Sequence, residues 1–348
     1  MSSQWNEFLI SNGANINNGS VTDFGDAPGE LEVAAHGNII ADLSHLDRLA
    51  ISGEDAESFL LSQLSNDIRL LDQEHAQFST YCNPKGRMLG LFLIFRENKH
   101  FVLVSDSTIG TSLIPRLKMF VMRSKVEISD YSAQRILIGV SGADADARLS
   151  SLIGLSMPDS SCVLRQRDDI TVVRVRGAKP RYMVSASPDN MQPIWEALSD
   201  SYTAVGRAAW EWLDIESGTP SISAATSEQF IPQMLNLDIL EAINFKKGCY
   251  PGQEIIARMK YLGKLKQRMF LGHITQSVPV AGEPVFAKSF GEQRAGTVVI
   301  ARPAPGGGTD ALIVAQITPA TEESLHLGSH EGPVIKLKPL PYDVPLEA

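Results

Sequence analysis

Residues 244–268, NFKKGCYPGQEIIARMKYLGKLKQR, hold the densest run of chemistry-bearing side chains in this chain. Gly248 and Gly252 permit tight backbone geometry, Pro251 suits a first helical turn, and IIARMKYL predicts a short helix. Cys249 is then expected at or just before a helix N-terminus. There the unpaired N–H groups, the positive dipole end and the adjacent Lys246 and Lys247 favour thiolate over thiol. Cys249 is therefore a candidate nucleophile or soft ligand, with Lys247 beside it. Glu254 and Arg258, four residues apart, suit a weak pair on the helix surface. Seven bases (Lys246, Lys247, Arg258, Lys260, Lys264, Lys266, Arg268) accompany the single acid Glu254 in this segment. Such a run marks either a solvated helix face or a site for a phosphate, a polycarboxylate or a nucleic-acid backbone.

Beyond Arg268 the chain changes character. Short apolar runs (MFLGHI, AGTVVI, ALIVAQI, PVIKL) alternate with Gly- and Pro-rich turns, which predicts a small barrel or sandwich over residues 265–348. Upstream, SGEDAESFLLSQLSNDI has helical spacing of Phe59, Leu60, Leu64 and Ile68, while MLGLFLIF and HFVLVS around a polar turn predict a hairpin. Further helices are expected around IPRLKMFVM, Ile194–Leu198 and AVGRAAWEWLDIESGTP. Strands are expected near Lys125–Ile128, Ile136–Val140, Thr171–Arg176 and Arg181–Ser185. Alternating strands and helices over residues 36–264 predict an α+β core. Trp210 and Trp212 lie two apart, so a helix would point one into the core and the other towards a cavity. Residues 11–30, rich in Asn, Gly, Ser and Asp, predict a loop, and residues 1–35 a flexible leader.

The 348 residues correspond to about two domains. With 43% hydrophobic and 20% charged residues, the chain excludes a disordered protein. Net charge is -9, and residues 1–60 account for all of it, with ten acids against Arg48. Three cysteines, none in a CxxC pair, exclude a disulfide framework, a CxxC-type zinc site and a permanent four-cysteine cluster, so no metal site is expected. This cysteine usage fits a reducing cytoplasm, and with no basic n-region and no run of 18 apolar residues neither a signal peptide nor a membrane span is expected; a monomer is expected. The seven His residues form no HExxH, and neither a P-loop nor a strand-borne GxGxxG is present.

Lys246-Lys247-Gly248-Cys249-Tyr250-Pro251-Gly252-Gln253-Glu254 resembles the K-G-C-[aromatic]-x-G-Q-E signature of the YgfZ proteins, relatives of the T-protein (aminomethyltransferase) of the glycine cleavage system. The resemblance extends to QFIPQMLNL (Gln229–Leu237), ISGEDAESFL, NPKGRM (Asn83–Met88) and PLPY (Pro339–Tyr342), and covers roughly residues 36–343. It implies a GcvT-like folate-binding fold: two interleaved α+β subdomains around a cavity, plus a C-terminal β-barrel. It also implies tetrahydrofolate or a one-carbon derivative as cofactor. Its implied partners are iron–sulfur enzymes such as the tRNA methylthiotransferase, and its key residue is Cys249. By the same resemblance Trp210 would sit against the folate, Glu216 would hydrogen-bond the pterin, and Leu46 would stand where a relative carries a folate-contacting Trp. T-proteins place a catalytic Asp after their N-x-x-G-G turn. Here Asn83–Leu91 reads NPKGRMLGL, with no carboxylate, which ranks aminomethyl transfer below an accessory role. An RNA-binding scaffold using residues 246–268 is a third reading, disfavoured by the overall charge.

Overall fold

The computed structural model describes residues 3–346. The first elements are α1 (Ser3–Ser11), the hairpin β1 (Asn15–Asn17) and β2 (Ser20–Asp23), and α2 (Ala27–His36). Next come β3 (Ile39–Asp42), β4 (Leu46–Ser52), α3 (Ala56–Gln63), β5 (Gln77–Cys82), β6 (Met88–Glu97), β7 (His100–Asp106), α4 (Ser107–Val121) and β8 (Glu127–Asp130). They are followed by β9 (Ile136–Ser141), α5 (Ala145–Ile153), β10 (Leu164–Arg167), β11 (Ile170–Arg174), β12 (Arg181–Ala186), α6 (Pro188–Ser199), β13 (Thr203–Val205), α7 (Arg207–Glu216) and α8 (Gln253–Tyr261). The last strands are β14 (Gln267–Ile274), β15 (Pro284–Ala287), β16 (Gly296–Pro303), β17 (Thr309–Gln316), β18 (Leu325–Leu327) and β19 (Val334–Lys338).

Strand order shows the interleaving directly. One sheet runs β5-β6-β7-β4-β8, and the other β10-β11-β12-β9-β3-β13, so the chain enters the second sheet with β3, leaves to build the first, and returns at β9. Strand β6 is apolar almost without interruption and buried along nearly its whole length, because both of its faces are covered. It turns into β7 through Asn98, at φ 55, a left-handed conformation that Asn tolerates better than most residues. Strands β14–β19 close a six-stranded barrel, so the third unit has no open sheet edge.

Helix α7 is the element on which the site depends. Its amphipathic pattern faces the sheets on one side and β16–β17 on the other. Gly218, at φ 62, follows its end, and a Cβ there would meet the Tyr342 ring at 2.7 Å. The Tyr342 hydroxyl donates to the Gly218 carbonyl at 2.7 Å, which pins the terminal PLPY onto α7.

Residues 3–36 form regular structure in place of the expected flexible leader. Trp5 and Leu9 are buried against Trp195, and Trp5 Nε1 donates to Asp42 at 2.9 Å. Glu30 accepts from the backbone N–H of Phe24 at 2.6 Å and of Gly206 at 2.8 Å, tying α2 to the start of α7. Apart from Phe24, these partners are remote in sequence, so local composition gave no sign of them. No helix among the described residues is long and apolar enough to cross a membrane.

Candidate functional site

The Lys246–Glu254 loop is held from beneath by its own side chains. The Lys247 ammonium is buried, donates to the carbonyls of Leu61 and Leu64 at the end of α3, and lies 4.8 Å from the Tyr250 ring centre. Burial pushes its pKa down to about 8, with Asp67 opposing and Arg69 assisting. Gln253 donates weakly back to the carbonyls of Lys247 and Gly248, at 3.3 and 3.4 Å, closing the loop. Gly252 sits at φ 82, and a Cβ there would fall 2.5 Å from the Asn83 carbonyl oxygen and 2.7 Å from Gly86 Cα. Only glycine permits both the left-handed backbone and this approach. The two motifs, NPKGRM and KGCYPGQE, therefore pack glycine against glycine although some 160 residues separate them.

Cys249 crowns this loop and is exposed, whereas burial lifts the thiols of Cys82 and Cys162 to about 12 and about 11. Two features differ from the sequence expectation. Helix α8 begins at Gln253, after the left-handed Gly252, so Pro251 precedes the helix and Cys249 does not cap it. Lys247 is turned inward to α3, because two end carbonyls of that helix need a donor, and only Lys246 is exposed beside the thiol. Glu254 and Arg258 are both exposed on α8, and no ion pair joins them. Replacing Lys247 by Met should orphan the Leu61 and Leu64 carbonyls and cost about 2 kcal/mol, read as a lower urea midpoint at unchanged slope. An unchanged midpoint would return Lys247 to a role at the thiol.

A separate cavity of about 90 Å³, widening to about 750 Å³ with its open mouth, lies where the two sheets, α7 and β16 meet. Leu46, Phe78, Leu91, Leu93, Val104 and Met183 supply apolar walls, and His45, Asp106, Arg176, Glu211 and Asp214 are the charged or titratable groups. The lining, apolar walls with a few convergent polar groups, is of the kind small-molecule sites have. Glu211 is buried and accepts from Arg207 Nε at 2.9 Å and Arg302 Nε at 2.6 Å. Burial would raise its pKa, but Arg302, His45 and Arg207 together hold it at about 2. Burial pushes neighbouring His45 down to about 3, and its Nε2 has no protein partner. Asp106 caps α4 by accepting from Thr108 N at 2.9 Å and faces Arg207 at 3.4 Å. Burial raises Asp214 above the ordinary carboxylate range against the pull of Arg181, which it meets at 2.8 Å.

The structure distributes the sequence-predicted residues over three places. Leu46 lines the cavity as an apolar wall. Trp210 does not. It is fully buried, packs on Gly139, and lies under the Arg181 guanidinium at 3.8 Å, so core packing takes the indole that stacking on folate would need. Its neighbour Trp212 faces two other hollows, one between α7 and the barrel and one between α7, α2 and the loop before β12, and its Nε1 donates to Asp310 at 2.9 Å. Glu216 lines one of those hollows too, paired with Lys338 at 2.6 Å, because α7 turns it away from the cavity. Cys249 is not part of the cavity wall. Strand β6 links the two places: Leu91 and Leu93 line the cavity about 16 to 23 Å along the chain from Gly86, at a strand's rise per residue.

Sequence reasoning missed His45, Asp106, Glu211 and Asp214. The Arg207–Glu211 spacing of four was a visible helical pair, but Arg302 arrives from the barrel and His45 from the loop before β4. Their convergence is a tertiary fact. Among the described residues no cluster of His, Cys, Asp and Glu is arranged to hold a metal ion.

A model of the GCVT N-terminal domain matches residues 24–247. The tRNA-modifying protein YgfZ of Sodalis glossinidius is 29% identical over 298 residues, covering 85% of this chain and 90% of that protein. That of Pectobacterium atrosepticum is 30% identical over 312 residues, covering 88% and 93%. The crystal structure of glycine cleavage system aminomethyltransferase T from Bartonella henselae superposes with a TM-score of 0.78 over 94% of both chains at 17% identity, which shows a shared fold. With its interleaved sheets, closed barrel and KGCYPGQE loop, the chain belongs to the GCVT N-terminal domain family and, within it, to the YgfZ family of tRNA-modifying proteins.

Proposed function

We propose that this protein binds tetrahydrofolate or a one-carbon derivative in the central cavity and supports iron–sulfur enzymes, and through them the methylthiolation of tRNA adenosine, with Cys249 as the working thiol. The observation that carries the reading is the Cys249 loop: a clamped backbone that presents the exposed thiol outward on the same β6 scaffold whose middle lines the cavity. The residues present suit a folate. Asp214 and the unpartnered His45 Nε2 offer polar contacts to ring nitrogens, and Leu91, Leu93 and Phe78 cover the flat apolar faces. Bound there, the folate would supply one-carbon chemistry, and the chain's own groups would orient it and exclude water.

Aminomethyl transfer ranks second. The cavity wall beyond the NPKGRM turn is Leu91 and Leu93, and of the carboxylates Glu211 is held by two arginines and Asp106 caps a helix. The test is mass spectrometry of tRNA nucleosides from a strain lacking the protein, complemented with wild type or with Leu93→Trp, which fills the cavity. Methylthio-adenosine should fall in the deletion, return with wild type and stay low with a folded Leu93→Trp. Unchanged tRNA in the deletion would sink the accessory role. Full rescue by Leu93→Trp would remove the cavity from it.

A further inference from the structure

We propose that the surface formed by the Phe245–Lys246 loop, α8 and the segment after it docks single-stranded RNA through its phosphates. Of the seven bases between residues 246 and 268, the structure withdraws two. Lys247 is buried on α3, and Arg268 is buried in a bidentate pair with Asp238 at 2.6 and 3.1 Å. The other five, Lys246, Arg258, Lys260, Lys264 and Lys266, are exposed, and none makes an ion pair among the described residues. Lys260 and Lys264 share one region of surface with Phe245 and Tyr261, and Lys246 adjoins Phe245 in the chain. The Phe245 ring meets Tyr261 edge-on at 6.2 Å, Lys260 Nζ lies 5.6 Å from the Phe245 ring centre, and Lys260 and Lys264 line one open hollow. Lys85 is exposed on the turn that packs against Gly252 at the other end of α8.

Five unpaired cations on a chain of net charge -9 are a local field of opposite sign, which attracts a polyanion. The apolar content of the patch decides which polyanion. Tyr261 is 65% exposed and stands among the lysines, the combination of stacking surface and backbone neutralisation that single-stranded nucleic acids use. Glu254 is the one acid of the segment and sits at the opposite end of α8 from Lys260 and Tyr261. The surface lies outside the folate cavity, so the inference goes beyond the folate reading and stands or falls separately from it.

The probe is a fluorescein-labelled single-stranded RNA of about 12 nucleotides, titrated with the full chain and followed by anisotropy. Five phosphate contacts predict a slope of about -3.5 for log affinity against log salt, hence roughly a 100-fold loss between about 50 and 200 mM salt. Lys260→Glu with Lys264→Glu should lower the slope to about -2. Tyr261→Ala should weaken binding roughly tenfold with the slope unchanged, because stacking releases no counterions. These positions are exposed, so the variants should keep the wild-type melting temperature and tetrahydrofolate affinity. Absence of binding at 50 mM salt, or indifference to all three substitutions, would overturn the proposal. A poly-glutamate peptide that binds as tightly as the RNA would also overturn it and make an acidic protein the occupant.

Discussion

Cys249→Ala should leave methylthio-adenosine in tRNA at the level of the deletion strain while the variant protein accumulates and melts like the wild type. The thiol is exposed, so its removal leaves no buried cavity, and the usual cost of truncating a buried cysteine does not arise. Cys82 and Cys162 provide the contrast. Both are held as thiols by burial, and alanine at either position should lower stability without a specific loss of tRNA modification. Matched protein levels make the comparison decisive. Full complementation by Cys249→Ala would remove the thiol from the mechanism and leave the loop a structural clasp.

Glu211→Gln should destabilise the fold by about 3 kcal/mol, because it strips Arg207 and Arg302 of a shared buried counter-charge. The same cluster sets the acid limit of the protein. Folded His45 stays neutral down to about 3, against 6.5 for an ordinary His, so as pH falls below 6.5 the unfolded chain takes up a proton that the fold refuses. Stability from this group is complete above pH 6.5 and declines by about 1.4 kcal/mol per pH unit below it. Glu211, depressed from 4.5 to about 2, adds a second loss that starts below pH 4.5 and runs to about 2. Unfolding free energies from urea titrations between pH 7 and 5 should therefore fall for the wild type and fall by about 2 kcal/mol less for His45→Gln. Identical pH profiles for the two proteins would show that His45 titrates normally in the fold.

The sequence carried the fold class because its signals are local. The β6–β7 hairpin is announced by two apolar runs around a short polar turn, α7 by its 3.6-residue pattern and the Gly218 stop, and the barrel by close-spaced strands between Gly and Pro. The hidden parts depend on long-range contact. Helix α1 and the β1–β2 hairpin are too short and too polar to announce themselves, and only burial of Trp5 and Leu9 against the second sheet orders them. Trp210 and Trp212 illustrate the limit. Their spacing showed that the two would face differently, but which face was core depended on Gly139 leaving room beneath Trp210.

The site divides in the same way. The identity of the Cys249 loop, the glycines that shape it and its excess of bases are properties of one contiguous segment, so the sequence alone determined them. Which base is free and which is buried was decided by the fold, because the carbonyls at the end of α3 and the carboxylate of Asp238 claim Lys247 and Arg268. The central cavity was decided entirely by tertiary structure. Glu211, His45, Asp106, Asp214 and Arg302 come from α7, the loop before β4, the end of β7 and the barrel, and their charges interact only because burial brings them within a few ångströms in a medium that screens them weakly.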